Sequence, residues 1–215
     1  MHNRRMQAER RGTYMVIEGP DGSGKTTQKD LLLQKLRSMN KDAVDLIEPG
    51  GTPLGKELRT LILDPSIVKQ PESELDLFTV ARRELVQQIL RPSLEAGKIV
   101  ISDRNWFSSV AYQGYGRSLA LEKIISRSKE AMGQYFMPDV AVVLSVPIEV
   151  TAERIKQAGK KADWFEQLGP DFFARVQEGY SWMVDEYQLT VIDGTKSIEA
   201  VHSDLLRLLR QSGAI

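Results

Sequence analysis

The sequence predicts an α/β fold, a five-stranded parallel sheet flanked by helices, and three observations carry that expectation. Short, β-branched apolar runs recur along the 215 residues at 14–17, 43–47, 99–102, 140–144 and 189–192. Each is nearly continuous rather than alternating, which suits strands covered on both faces. Helical spacing fills the intervals, and a glycine-rich loop joins the first run to the first helix. In such sheets ligands gather beyond the carboxyl ends of the strands.

Taken in order, the chain opens on a basic segment, 1–12, with Arg4, Arg5, Arg10 and Arg11 among polar residues and Glu9 as the one acid. It lacks the apolar stretch of a secretory signal and reads as a tail ahead of the first strand, disordered by expectation. After strand 14–17, residues 28–39 place Leu31, Leu32 and Leu36 in helical spacing. A short helix is expected at 55–63 and a long one at 71–96, its apolar positions Leu75, Phe78, Leu85, Ile89 and Leu94. Further helices are expected at about 117–133, 147–158, 170–186 and 197–211. The polar, glycine-bearing stretches 18–26, 48–55, 102–117 and 193–196 follow strand ends, so chemistry is sought there. The residues from 13 on read as one domain, with no repeat, low-complexity tract or linker.

Composition narrows the partners. Lys plus Arg and Asp plus Glu both total 29, so the whole-chain charge gives no reason to expect nucleic acid. Hydrophobic residues at 41% and charged residues at 27% fit a soluble globular core. There are no cysteines, which excludes disulfides and thiolate sites and fits a cytoplasmic, reducing location. No run approaches the roughly 20 apolar residues of a membrane span.

The loop itself reads Gly19-Pro20-Asp21-Gly22-Ser23-Gly24-Lys25-Thr26. It fits G-x-x-x-x-G-K-[ST], and strand before with helix after is the context that gives the pattern meaning. Glycines let backbone N–H groups turn toward an anion, and the helix N-terminus adds partial positive charge. Lys25 would reach the β- and γ-phosphates, and the Thr26 hydroxyl would ligate Mg²⁺. These features place the chain in the P-loop NTPase fold. A GTPase would carry N-K-x-D, which is absent; a motor ATPase would show an acidic pair after a strand. Here strand 99–102 runs into Asp103-Arg104 instead. The acid can organise Mg²⁺ or its waters, and the arginine can hold a second phosphate beside the first. That combination describes phosphoryl transfer between two anions.

Three motifs in order then identify a resemblance: G-P-D-G-S-G-K-T-T from Gly19, E-P-G-G-T-P-L-G from Glu48, and Asp103-Arg104 followed by Ser108-Ser109-Val110-Ala111-Tyr112-Gln113-Gly114. From Tyr14 onward the chain closely resembles the thymidylate kinase family, which converts dTMP to dTDP with ATP and Mg²⁺ as part of dTTP biosynthesis. The resemblance implies that Phe78 stacks on thymine and Arg82 donates to a thymine carbonyl, although Phe78 taken alone reads as core. Gln113 and Ser109 would meet the base edge, and Tyr112 would crowd the 2′ position of the sugar. Pro49 would shape the acceptor pocket. Asp21 would face the 3′-hydroxyl and the metal region, while Arg59 and Arg104 hold the dTMP phosphate. The ATP side would comprise Gly19 to Thr27, with Gly22, Ser23, Gly24, Lys25, Thr26 and Thr27 around the phosphates. Asp193, Gly194 and Thr195 would lie against adenine, and the family is usually a homodimer.

The chain departs from the family pattern in three places. Ile47 replaces an arginine before Glu48, and Asn105 replaces the usual aromatic or histidine after Asp103-Arg104. In the lid expected at about 154–168, Trp164 stands where a catalytic arginine is usual, and the phosphate loop carries no arginine of its own. Arg154 is then the expected phosphate clamp, assisted by Lys160 and Lys161, so the catalytic set reads Lys25, Asp21, Arg104 and Arg154. Reintroducing arginine at 164 is expected to raise turnover if the lid is incomplete. Two other readings stand beside dTMP kinase: a deoxynucleoside monophosphate kinase of relaxed specificity, and a nucleotide-binding homologue with weak catalysis.

Overall fold

The computed structural model describes residues 11–159 and 163–215. Five strands, β1 Tyr14–Glu18, β2 Ala43–Ile47, β3 Ile99–Asp103, β4 Val140–Ser145 and β5 Thr190–Asp193, form one parallel sheet in the order β2-β3-β1-β4-β5. Alternation within β1 divides two cores. Tyr14 and Val16 pack with Leu46, Val100 and Leu85 on one face. Met15 and Ile17 pack with Leu32, Leu36, Ile101 and Leu205 on the other. Both sets are buried, as the continuous apolar runs of the central strands require, whereas the edge strands β2 and β5 leave Asp45, Thr190 and Val191 exposed.

Helices cover both faces: α1 Lys25–Ser38, α2 Pro53–Leu63, α3 Pro71–Leu85, α4 Arg91–Glu95, α5 Trp106–Ser109, α6 Leu121–Met132, α7 Ile148–Gln157, α8 Pro170–Tyr187 and α9 Ile198–Gln211. α2 starts where the Thr52 hydroxyl accepts from the Gly55 N–H at 2.9 Å, with Pro53 in the first turn, where its missing N–H costs nothing. α3 likewise opens on Pro71 with Glu72 and Glu74 in its first turn and Arg82 and Arg83 in its last, matching the helix dipole. α3 and α4 are joined by a π-helical stretch, Val86–Leu90, just before Pro92. The widened turn accommodates a residue that has no N–H for the ladder, so the long helix runs on past its proline.

The stretch 102–117, read from sequence as a polar connection, is instead mostly helical. Asn105 caps α5 by accepting from the Phe107 N–H at 2.8 Å, and a π-helical segment Val110–Gly116 follows. Trp106, Phe107, Val110 and Ala111 are fully buried there, and α8 lies against the segment. A Cβ on Gly179 of α8 would stand 2.8 Å from the Ala111 Cα, so the two backbones touch. Arg11 pairs with Asp139 at 2.7 Å and Gly12 bonds Leu94, so the chain is anchored before β1 begins; the rest of the expected tail, 1–10, lies outside the described residues. No described helix is long and apolar enough to cross a membrane.

Candidate active site

Register places the site. β1 lies between β3 and β4, with Ile17 beside Asp103, so the loops leaving β1 and β3 emerge together. Gly22 and Gly24 hold φ near 77° and 98°, a region glycine enters without strain, and Gly24 leads directly into α1. At Gly22 a side chain would also meet the Thr151 carbonyl at 2.8 Å. The Ser23 hydroxyl is buried in this loop without a hydrogen-bond partner among the described residues, a donor waiting for an acceptor. Lys25 Nζ donates to the carbonyls of Gly19 and Pro20 at 2.9 and 2.8 Å. Burial first, and then the Arg104 cation, press its pKa down to about 8.

Arg104 occupies the joint between the loops with a left-handed backbone, φ 73°, held by a bond from the Ser102 hydroxyl to its carbonyl at 2.6 Å. Its guanidinium donates to Asp21 at 2.6 Å, Tyr112 at 3.1 Å, Ser108 at 2.8 Å, Tyr180 at 2.9 Å and the Gly19 carbonyl at 3.2 Å. Burial is the largest influence and opposes this cation, but Asp21, Tyr112, Tyr180 and Glu18 together outweigh it and raise the pKa well above the usual arginine value. Burial likewise opposes ionisation at Asp21, where Arg104, Lys25 and the Tyr112 hydroxyl prevail and hold the carboxyl below its usual range. The Tyr112 hydroxyl donates to Asp21 at 2.7 Å.

Two cavities meet here. The larger, about 730 Å³, runs along the phosphate loop and includes Lys25, Thr26, Thr27, Asp103, Arg154 and Gly194. The smaller, about 80 Å³, includes Pro49, Phe78, Arg82, Ser109, Tyr112 and Gln113, so the structure brings these six residues together. Asp21, Arg59 and Arg104 line both. Arg59 donates to the Pro49 carbonyl at 2.9 Å. Arg82 is fully buried, paired with Glu48, and donates to Ser109 at 2.9 Å and Ser128 at 3.3 Å. Phe78 faces Phe165 at 6.2 Å between centroids, and Phe165 stands edge-on to Tyr112 at 5.4 Å. An aromatic wall therefore closes one side of the smaller cavity.

In the larger cavity, Thr26 Oγ1 donates to Asp103 Oδ2 at 2.7 Å. This pair of hard oxygens suits Mg²⁺ held chiefly through waters and phosphate oxygens. Among the described residues, no group of three or more carboxylate, histidine or cysteine side chains is placed to hold a metal ion. Arg154 reaches across the cavity, donating to the carbonyls of Gly22 at 3.2 Å and Gly194 at 3.1 Å. It ties the phosphate loop to the turn after β5, where Asp193 accepts from the Thr195 N–H at 2.9 Å; neither Asp193 nor Thr195 lines the cavity. Lys160 and Lys161 lie outside the described residues.

Trp164, at the position where the family usually carries a lid arginine, lines neither cavity. Only 7% exposed, it donates from Nε1 to Glu74 at 2.8 Å, and its backbone N–H bonds the Leu63 carbonyl. Lys69 and Arg117 lie over its ring at 4.7 and 5.6 Å. Trp164→Arg would put a third cation around one buried carboxylate and lose the ring's packing. It is expected to destabilise the fold by about 2–4 kcal/mol and not raise turnover. Thermal melts check the first expectation and single-turnover rates the second; an unchanged melt with faster turnover would restore the catalytic reading of position 164.

Several site residues escape sequence reasoning. Glu18, fully buried at the end of β1, accepts from the Asn105 N–H at 2.8 Å, the Ser108 hydroxyl at 2.7 Å and Tyr180 at 3.0 Å. It braces the two loops that carry Gly19 and Arg104. A carboxylate closing an apolar strand is a signal that could have marked Glu18. Tyr180, Glu74 and Phe165 carry no such local mark.

The family model described as thymidylate kinase matches residues 17–205. Similar proteins include the thymidylate kinase of Pelotomaculum thermopropionicum, 38% identical over 92% of this chain and 92% of its own length. That of Pseudomonas putida is 37% identical over 92% of this chain and 95% of its own. That of Halothermothrix orenii is 34% identical over 91% and 95%.

Proposed function

The chain belongs to the thymidylate kinase family, and we propose that it phosphorylates dTMP to dTDP, with ATP as donor and Mg²⁺ as cofactor. The observation that carries this reading is the shared wall of Asp21, Arg59 and Arg104 between a phosphate-loop cavity and an aromatic-lined one. Two nucleotides placed in the two cavities would meet phosphate to phosphate at Arg104. The acceptor phosphate is already an anionic nucleophile, so no strong base is required, and the residues act by positioning and charge neutralisation.

Lys25 would leave the carbonyls of Gly19 and Pro20 for the donor phosphates, and the Ser23 hydroxyl and loop N–H groups would complete their cradle. Arg104 and Arg59 would hold the acceptor phosphate, with Asp21 orienting Arg104. Thr26 and Asp103 would hold Mg²⁺, which when bound neutralises charge on the donor's phosphate oxygens. Arg154, already bridging the cavity, would bring a fork of donors to the donor side, and the segment 154–168 would serve as the lid. Phe78 would offer its ring to thymine, with Phe165 closing behind the base.

The test is a coupled assay with ATP, Mg²⁺ and a panel of nucleoside monophosphates. dTMP is expected to give the highest kcat/KM. ATP binding without consumption of any monophosphate would favour the weakly catalytic homologue instead. We also propose a homodimer, supported by Leu54 and Leu61 on α2 and Val80 on α3, which remain 46%, 37% and 40% exposed. Light scattering at micromolar concentration is expected to give twice the chain mass, and a mass near one chain would contradict it.

A further inference from the structure

We infer that Glu74 is a positioning residue for base choice: it fixes the amide of Gln113 so that an acceptor meets the base edge, selecting bases that present an N–H there. The inference rests on the reading of the smaller cavity as the base site.

Glu74 lies in the first turn of α3 and is fully buried. Gln113 Nε2 donates to its Oε1 at 2.8 Å, and Trp164 Nε1 donates to its Oε2 at 2.8 Å. Arg117 Nε stands 3.8 Å from the same Oε2. A carboxylate can only accept, so the NH₂ end of Gln113 must face Glu74. The amide is then not free to flip, and Oε1 is the end left for the cavity that Gln113 lines. Gln113 is itself 1% exposed, so an unpaired Oε1 facing a bound base would be costly.

The consequence is chemical. Thymine and uracil present N3–H between two carbonyls. Cytosine presents an unprotonated N3 beside an amino group. A fixed Gln113 carbonyl accepts from the first pattern and opposes the lone pair of the second. Beside it, the Ser109 hydroxyl already accepts from Arg82 at 2.9 Å, leaving its proton for a base carbonyl. Free glutamine could rotate to suit either base; glutamine held by a buried carboxylate cannot. Sites built around such fixed hydrogen bonds discriminate far more strongly than apolar pockets.

Calorimetric binding of dTMP, dUMP and dCMP tests this without relying on turnover. For Glu74→Gln, the partner at 74 can donate or accept, so the Gln113 amide gains both orientations. The ratio of dTMP to dCMP affinity is expected to fall about 10-fold or more, while the ratio of dTMP to dUMP holds, because those two share one edge. The exchange variant Glu74→Gln with Gln113→Glu keeps one carboxylate and one amide in contact and presents a carboxylate oxygen to the base. It is expected to restore the wild-type dTMP to dCMP ratio. Trp164→Phe, which removes the other donor to Glu74, should leave the ratio in place. A folded Glu74→Gln variant with the wild-type ratio overturns the inference, as does an exchange variant as unselective as the single one. Should Glu74→Gln not fold, the exchange variant decides alone. A wild-type protein that binds none of the three nucleotides would overturn the base-site reading itself, a result distinct from selectivity that no variant moves.

Discussion

Arg104→Ala is expected to lower kcat/KM for dTMP by about 10³-fold or more, the scale on which an arginine at a transferring phosphate acts. The geometry makes the residue hard to replace. Its side chain is only 14% exposed, it lines both cavities, and its two terminal nitrogens serve five oxygens on four segments of the chain. The Tyr112 ring also lies 5.0 Å from its guanidinium carbon. Asp21 keeps the group charged, so its role should not titrate in the working range of pH. Arg104→Lys retains the charge as a single point but cannot span the loops, and it is expected to recover less than about 10-fold of the loss. Because Arg104 also braces the β1 and β3 loops, steady-state kinetics should be paired with thermal melts. A folded Arg104→Ala protein with near wild-type kcat/KM would remove Arg104 from the chemistry.

Such a role is partly legible in the sequence, and the reason is locality. The phosphate loop, the strands and the pairing of Phe78 with Arg82 depend on neighbours one helical turn away or less, so pattern alone finds them. The helical stretch 106–116 does not announce itself. Its glycines, Gly114 and Gly116, look like turn punctuation, yet they are buried inside a π-helical segment against which α8 packs. Tyr180 reaches Glu18 across 162 residues, and Trp164 reaches Glu74 across 90. Only the fold makes those pairs neighbours. Position 164 depends on the fold in the same way. The missing arginine suggests a catalytic gap, whereas the tryptophan has partners of its own, Glu74, Lys69, Arg117 and the Leu63 carbonyl. Asn105 is a departure of the same kind: it caps α5 in place of the usual aromatic or histidine.

Lys25 gives the second large effect and a pH signature that separates it from a structural lysine. Lys25→Ala is expected to cut kcat by about 10²–10³-fold while leaving the melting temperature near wild type, since its present partners are two carbonyls of its own loop. In the free protein the ammonium is 6% exposed, and burial together with the Arg104 cation brings its pKa from 10.5 down to about 8. Donor phosphates placed against the ammonium favour the charged form and raise that value again. Below about pH 8 the lysine is charged both before and after binding, and no proton is exchanged at it. Above about pH 8 it is neutral before binding and charged after, so nucleotide binding must take up a proton. ATP affinity is therefore expected to fall as pH rises from about 8 toward 10, by up to about tenfold per pH unit. Calorimetry at pH 9 in buffers of different ionisation enthalpy should show uptake of about one proton. In Lys25→Ala that uptake should vanish and the affinity should flatten over the same interval. Wild-type affinity that is flat between pH 7.5 and 10 would mean that the ammonium never meets the phosphates, whatever its place in the motif.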